Sequence, residues 1–178
     1  MVLDAVEQAR RANPQSTLRH ELVHATNVSQ EDRRRLKPLR VTADMSPEIW
    51  IIDKHGDLWP MRELDQLGAL VTLGSDSPFP NVQGSNPFRY LADAMARTKE
   101  GISLETGIKM MTINGAIAVG REEQAGSIEE GKWANMIILD RNLFETPVAE
   151  IKNTKVLKTL FKGDVVYDAV KNVISTPN

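Results

Sequence analysis

The sequence predicts an α/β fold built on a parallel sheet, and three observations carry that prediction. Short apolar and β-branched runs alternate with helix-like segments about every 30 residues, the rhythm of βα units. Each helix-like segment is closed off by capping or breaking residues, as the pairs Asn13-Pro14 and Leu67-Gly68 illustrate. The runs L-R-V-T-A-D-M-S and A-L-V-T-L-G-S-D are short and rich in apolar and β-branched residues, as strands are.

The elements follow in order. V-L-D-A-V-E-Q-A-R-R-A places Leu3, Val6 and Ala9 at helical spacing and stops at Asn13-Pro14, with no strand before it. Residues 18–25, L-R-H-E-L-V-H-A, are the first strand. Ser29 with Asp32 three positions later opens a helix, Q-E-D-R-R-R-L, that Pro38 ends. Residues 39–46 are the second strand, stopped by Pro47. Residues 53–60, D-K-H-G-D-L-W-P, carry turn chemistry, and Pro60 suits the first position of the helix M-R-E-L-D-Q-L. Gly68 closes that helix and the third strand runs to Asp76. A proline-rich loop, Ser77 to Pro87, leads into the helices F-R-Y-L-A-D-A-M-A-R and L-E-T-G-I-K-M-M-T-I-N, the second capped by Ser103. From Gly126 the texture becomes β, and Lys162-Gly163-Asp164 between two alternating runs reads as a hairpin.

Totals limit the function classes. The 178 residues are 41% hydrophobic and 26% charged, with a net charge of −2. That length can bury a core without staples, and the charge draws the chain to neither nucleic acid nor anionic lipid. With no cysteine, disulfides, zinc thiolates and cysteine nucleophiles are excluded. No window reaches the roughly 18 apolar residues of a membrane helix, and the first residues do not form a signal peptide. A cytoplasmic location is expected.

In parallel βα architectures, working side chains gather at the carboxyl ends of strands. His24 and Asp76 occupy such ends. Strand alternation puts His24 on the face of His20 and Leu22, opposite Arg19, Glu21 and Val23. An imidazole and a carboxylate in one cavity are good ligands for Zn²⁺, and an aspartate beside a metal-bound water can take its proton. The structural alternative stands beside this. A strand-end histidine is commonly a hydrogen-bonded structural residue, and an aspartate between Gly-Ser and proline also forms Asx turns. His20, two residues deeper, is expected in the core, as is the stripe Ile108, Met111, Ile113; Trp50, Trp59 and Trp133 are expected packing anchors. His55 and Arg89 read first as a loop residue and a surface helix arginine. With Ser77 they are also the candidates for substrate contact, Arg89 towards an anionic group.

Four motifs occur in one order and at consistent distances: R-H-E-L-V-H-A, G-S-D-S-P, M-T-I-N-G-A-I-A-V-G and A-G-S-I-E-E-G-K-W-A-N-M-I-I-L-D. Together they resemble the carboxyl half of a metal-dependent amidohydrolase, in the amidohydrolase family 3 branch that includes N-substituted formamide deformylases, from about Val2 to Asp168. The resemblance implies a (β/α)₈ TIM barrel with a small antiparallel β-sandwich. This chain would supply about strands six to eight in residues 1–122, and part of the sandwich in 123–178. It implies one or two divalent metals, zinc first, activating water against the C–N bond of a small amide or cyclic amide. On it, His24 is the metal ligand or carbonyl partner ending strand six. Asp76 is the metal ligand and proton acceptor ending strand eight. Val23 departs from the family's usual Glu, and Ala134-Asn135-Met136 from its Ala-Asp-Leu.

The same resemblance implies what has no counterpart here: a His-x-His on strand one, a lysine or glutamate near strand four, and a strand-five histidine. The expectation is therefore a fragment, inactive by itself and without a metal of its own unless partners complete the site, and prone to form homo-oligomers that cover its open surfaces. Two other readings stay open. One is a catalytically dead remnant that self-associates or binds a ligand; the other is a nonhydrolytic α/β binding module in which Asp76 is structural.

Overall fold

A computed structural model describes residues 1–46, 58–76 and 86–171, together with the strand at 173–174. Its first half is a three-stranded parallel sheet of β1 (His20–Leu22), β2 (Val41–Met45) and β3 (Leu70–Leu73), in the order β1-β2-β3. His20 pairs with Val41, and Ala43 with Val71, so the three carboxyl ends lie together. Helices α1 (Val2–Ala12), α2 (Gln30–Arg33) and α3 (Met61–Gln66) accompany the strands. The expected βα alternation is thus present, with the parallel pairing it requires.

Local chemistry explains the boundaries. Ser29 Oγ accepts the Asp32 amide at 3.2 Å and starts α2, yet α2 ends at Arg33 rather than running to Pro38. Residues 34–40 form turns instead. Pro60 sits just outside α3 as its N-cap, one position earlier than expected. Gly68 takes φ +72° after α3, a left-handed position that glycine occupies without a Cβ clash.

One face of the sheet supplies the main core. Val41, Ala43, Met45, Val71 and Leu73 pack with Leu3, Leu36, Trp59, Met61 and Leu64, all buried. His20 does not join them. It is exposed on β1, the edge strand of this sheet among the described residues. Trp59 is fully buried, as expected of an anchor, whereas Trp133 keeps 38% of its surface exposed beneath Lys162 Nζ, 4.6 Å from the ring centre. Trp50 lies outside the described residues.

Helices α4 (Pro87–Ala96), α5 (Leu104–Met111) and α6 (Ile113–Ala118) follow. Asn86 and Ser103 cap α4 and α5 by accepting the Phe88 and Thr106 amides. The single helix expected through Asn114 breaks at Thr112, whose φ of −124° and ψ of −92° are not helical. This break lets Asn114 Nδ2 donate to the Val71 carbonyl at 2.8 Å and seat α6 on β3. Ile108, Met111 and Ile113 are only half-buried, and the α5 residue in the core is Met110.

The carboxyl part is a four-stranded antiparallel sheet, β4 (Met136–Leu139), β5 (Val156–Phe161), β6 (Asp164–Asp168) and β7 (Val173–Ile174), in that order. The expected hairpin joins β5 and β6, with Lys162 and Gly163 at φ +51° and +94°, the paired positive angles of a tight turn that matches strand twist. A short helix α7 (Val148–Ile151) packs on α4. There Ile151 and Leu143 join Phe88, Leu91 and Ala92 in a second core that links the two halves. Among the described residues, no helix is long and apolar enough to cross a membrane.

Candidate functional site

His24 and Asp76 come together. His24 Nε2 lies 3.2 Å from Asp76 Oδ2, with 36% and 45% of the two side chains exposed. Their strands are not neighbours. β2 lies between them, so their backbones are about 9.5 Å apart at the sheet's usual spacing, and the side chains meet over the carboxyl end of the middle strand.

The backbone explains how they reach. Strand β1 ends at Leu22, and His24 adopts φ +53°, so strand alternation does not extend to it. Leu22 packs on the core, whereas the imidazole turns toward Asp76. Asp76 also adopts a left-handed φ, +48°. Non-glycine residues seldom take such angles, and they concentrate where a side chain is aimed for a purpose. Main-chain bonds hold both ends to β2: the Ala25 amide donates to the Asp44 carbonyl at 3.0 Å, and the Gly74 amide to the Met45 carbonyl at 2.9 Å.

The pair suits part of a metal shell. Two ligands each about 2.0–2.1 Å from a tetrahedral zinc lie about 3.3 Å from one another, close to the observed 3.2 Å. Catalytic zinc sites use three protein ligands as a rule, and among the described residues no group of three or more histidines and carboxylates could hold an ion. The donors among the described residues therefore fit as a partial set.

The remaining candidates do not join them among the described residues. Arg89 lies along α4 with its Nε 4.0 Å from Asp93 Oδ2, the i,i+4 arrangement of a helix surface. Ser77 and His55 lie outside the described residues. What sequence reasoning missed is Asp44, a carboxylate in the middle of an otherwise apolar strand. Its Oδ1 accepts the Thr72 hydroxyl at 2.8 Å, one layer below the pair. Partial burial pushes the Glu21 carboxyl above its ordinary value, and the Asp44 charge adds to that rise. A charged residue interrupting V-T-A-D-M was the available signal.

A family model for the amidohydrolase family matches residues 1–167. The chain belongs to the amidohydrolase family. Among relatives of this amidohydrolase chain is the N-substituted formamide deformylase of Arthrobacter pascens, 30% identical over 190 residues, covering 94% of this chain and 34% of the relative. The imidazolonepropionase of Porphyromonas gingivalis is 30% identical over 145 residues, covering 81% of this chain and 33% of the relative. The chain thus spans about a third of the length of these curated relatives. Among solved structures, an adenosine deaminase from Xanthomonas campestris with bound zinc aligns with a TM-score of 0.68 at 18% identity, over 88% of this chain and 38% of that one. An amidohydrolase from Thermotoga maritima aligns at 0.67 and 23% identity, over 93% and 41%. At such identities the likeness establishes the fold: part of a TIM-barrel amidohydrolase with α/β content.

Proposed function

We propose that this amidohydrolase chain contributes to metal-dependent hydrolysis of non-peptide C–N bonds, amide or cyclic amide, in small molecules. The observation that carries the reading is the His24–Asp76 contact, built by two left-handed residues at the carboxyl ends of β1 and β3. On this reading β1, β2 and β3 are barrel strands six, seven and eight. Residues 1–122 belong to the barrel, and 123–178 to the small β-sandwich.

His24 and Asp76 would hold a divalent ion, zinc first, together with ligands this chain does not itself carry among its described residues. Such an ion, when bound, polarises a carbonyl and lowers the pKa of water. Asp76 accepts the proton of the attacking water at a carboxylate oxygen and returns it to the leaving nitrogen. His24, whose Nε2 lies 3.2 Å from Asp76 Oδ2, would either share the ion with that carboxylate or partner the bound substrate carbonyl. Substrate contacts from Ser77, His55 and Arg89 belong to the same proposal, as does a cytoplasmic setting. With two ligands among its described residues, the chain alone is expected to be inactive.

A second reading is favoured by exposed apolar side chains. Ile128, Ile137, Ile138 and Val165 are 82%, 48%, 46% and 46% exposed, and Ile128 and Ile137 line one groove, the kind of apolar surface that invites association. They support a self-associating remnant.

A chimaera separates the two readings. Residues 2–168 replace the matching third of the Arthrobacter pascens deformylase, and hydrolysis of an N-substituted formamide is followed. The expected outcome is zinc-dependent turnover that Asp76→Asn lowers about 10²–10⁴-fold, the usual effect of losing a general base. A folded, zinc-loaded chimaera whose turnover ignores Asp76→Asn would remove Asp76 from the chemistry.

A further inference from the structure

The middle strand bridges the two strands that carry the site, and one residue makes contacts to both. Asp44 lies on β2 in register with Thr72 of β3. Its side-chain Oδ1 accepts the Thr72 hydroxyl at 2.8 Å, and Thr72 is 92% buried, being only 8% exposed. Its main-chain carbonyl accepts the Ala25 amide at 3.0 Å, and Ala25 follows His24 directly and is itself buried. Thr72 lies on β3, four residues before Asp76, which follows the strand's carboxyl end. Register places Thr42, Asp44 and Thr72 on the sheet face opposite the main core, since Ala43 and Val71 face that core.

We infer that Asp44 is a positioning residue for the His24–Asp76 pair, tying the end of β1 through its carbonyl and β3 through its carboxylate. The inference rests on the reading that this pair is the working site, and deepens it. A strand end that drifts by one ångström would open a 3.2 Å contact made across an intervening strand. Both residues of the pair hold left-handed backbone angles, which persist only where surrounding bonds over-determine them. The Ala25 bond is such a constraint on His24. On β3, the Thr72 bond is a side-chain constraint that adds to the Gly74 bond, and it lies within the protein, where a hydrogen bond competes little with water. The Glu21 carboxyl, raised by burial and by the Asp44 charge, faces the same side of the sheet and marks Asp44 as the centre of a small polar layer beneath the site.

The test reads the pair directly and needs neither metal nor turnover, so it can fail independently of the proposed hydrolysis. The chain has three histidines, and long-range ¹H–¹⁵N spectra of the 178-residue protein resolve their ring nitrogens, with His24→Gln assigning His24. Asp76→Asn supplies the reference position for a pair that has lost its charged contact. Thr72→Val removes the hydroxyl but keeps the β-branched shape, and Thr72→Ser restores it. The expected result is that Thr72→Val and Asp44→Ala move the His24 Nε2 resonance towards its Asp76→Asn position. Thr72→Ser and Asp44→Asn, which keep the hydrogen bond, leave it at the wild-type position. If Asp44→Ala fails to fold, the Thr72 pair of variants decides alone. A wild-type His24 signal in folded Thr72→Val overturns the inference, and so does an equal displacement in Thr72→Ser.

Discussion

Asp76 and His24 are unusual at the level of the single residue because both sit in left-handed backbone, at φ +48° and +53°. For most L residues that conformation costs about 1–2 kcal/mol, less for aspartate and asparagine, and glycine takes it freely. An alanine at position 76 would meet the full cost. Asp76→Gly should therefore be more stable than Asp76→Ala by about 1 kcal/mol in urea unfolding, the reverse of the usual order of these residues. Equal stability, or a more stable alanine variant, would show that position 76 is not held left-handed. Neither angle could be read from the sequence, since the pattern that announces positive φ is glycine or Asn-Gly, and here the residues are histidine and aspartate. Their place at strand ends was legible, because the apolar runs stop just before them. Their contact was not, since positions 24 and 76 lie 52 positions apart in the sequence.

Single elements are held in place by a few charged anchors. Helix α1 is tied to the turn after α2 by Arg35, which reaches Asp4 at 2.8 Å, Glu7 at 3.0 Å and Asp32 at 2.8 Å. The chain's amino group, then Arg35, holds the Asp4 carboxyl below its ordinary value, and Arg35 does the same for Glu7. A carboxyl lowered in the folded state contributes stability above its unfolded pKa and loses it as pH falls through the folded value. Thermal stability should therefore decline as pH drops below the ordinary carboxylate range of about 4, and Arg35→Met should flatten that decline. An unchanged acid profile in Arg35→Met would place the acid sensitivity elsewhere. Asp140, held low by Arg141 and by the Lys155 amide, would then be the next candidate, since it fastens the end of β4 to the start of β5.

Gly126 makes a second prediction at this scale. It has φ +94°, and an added Cβ would lie 2.6 Å from Ala116 Cβ and 2.9 Å from Ile113 Cα. Gly126→Ala should lower stability by about 1–3 kcal/mol, the range for overpacking against backbone, as read by the urea midpoint; no loss would contradict the close approach of this turn to α6. The caps Ser29 and Ser103 and the hairpin at Gly163 were readable because each rests on neighbouring residues alone. The break between α5 and α6 was hidden, because helical spacing of apolar residues continues across Thr112. It arises from a tertiary bond, Asn114 to β3.

At the scale of the molecule, β1 and β3 are each paired on one side only among the described residues. The carboxyl sheet adds a groove of about 800 Å³ against α5 and α6, lined by Ile108, Ile113, Ile128, Met136, Ile137 and Phe161. Unpaired strand edges and apolar grooves invite association. The mass measured by sedimentation should therefore rise with protein concentration, and Ile137→Lys with Ile138→Lys should reduce the rise. A strict monomer at every concentration would contradict the self-associating reading. The βα rhythm made the sheet's class legible, since parallel strands need helical crossovers. The exposure of His20 and Ile137 was not legible, because residue type announces an apolar or buried face and not whether anything covers it.

Zinc titration of the 178-residue chain by calorimetry tests the central claim most directly, comparing the wild type with His24→Gln and Asp76→Asn. If these two residues share an ion, the wild type binds at one site, weakly for want of further ligands, and each variant loses more than about tenfold in affinity, since even residues that only support a ligand cost that much. Wild-type zinc affinity in both variants would contradict the assignment of His24 and Asp76 as metal ligands.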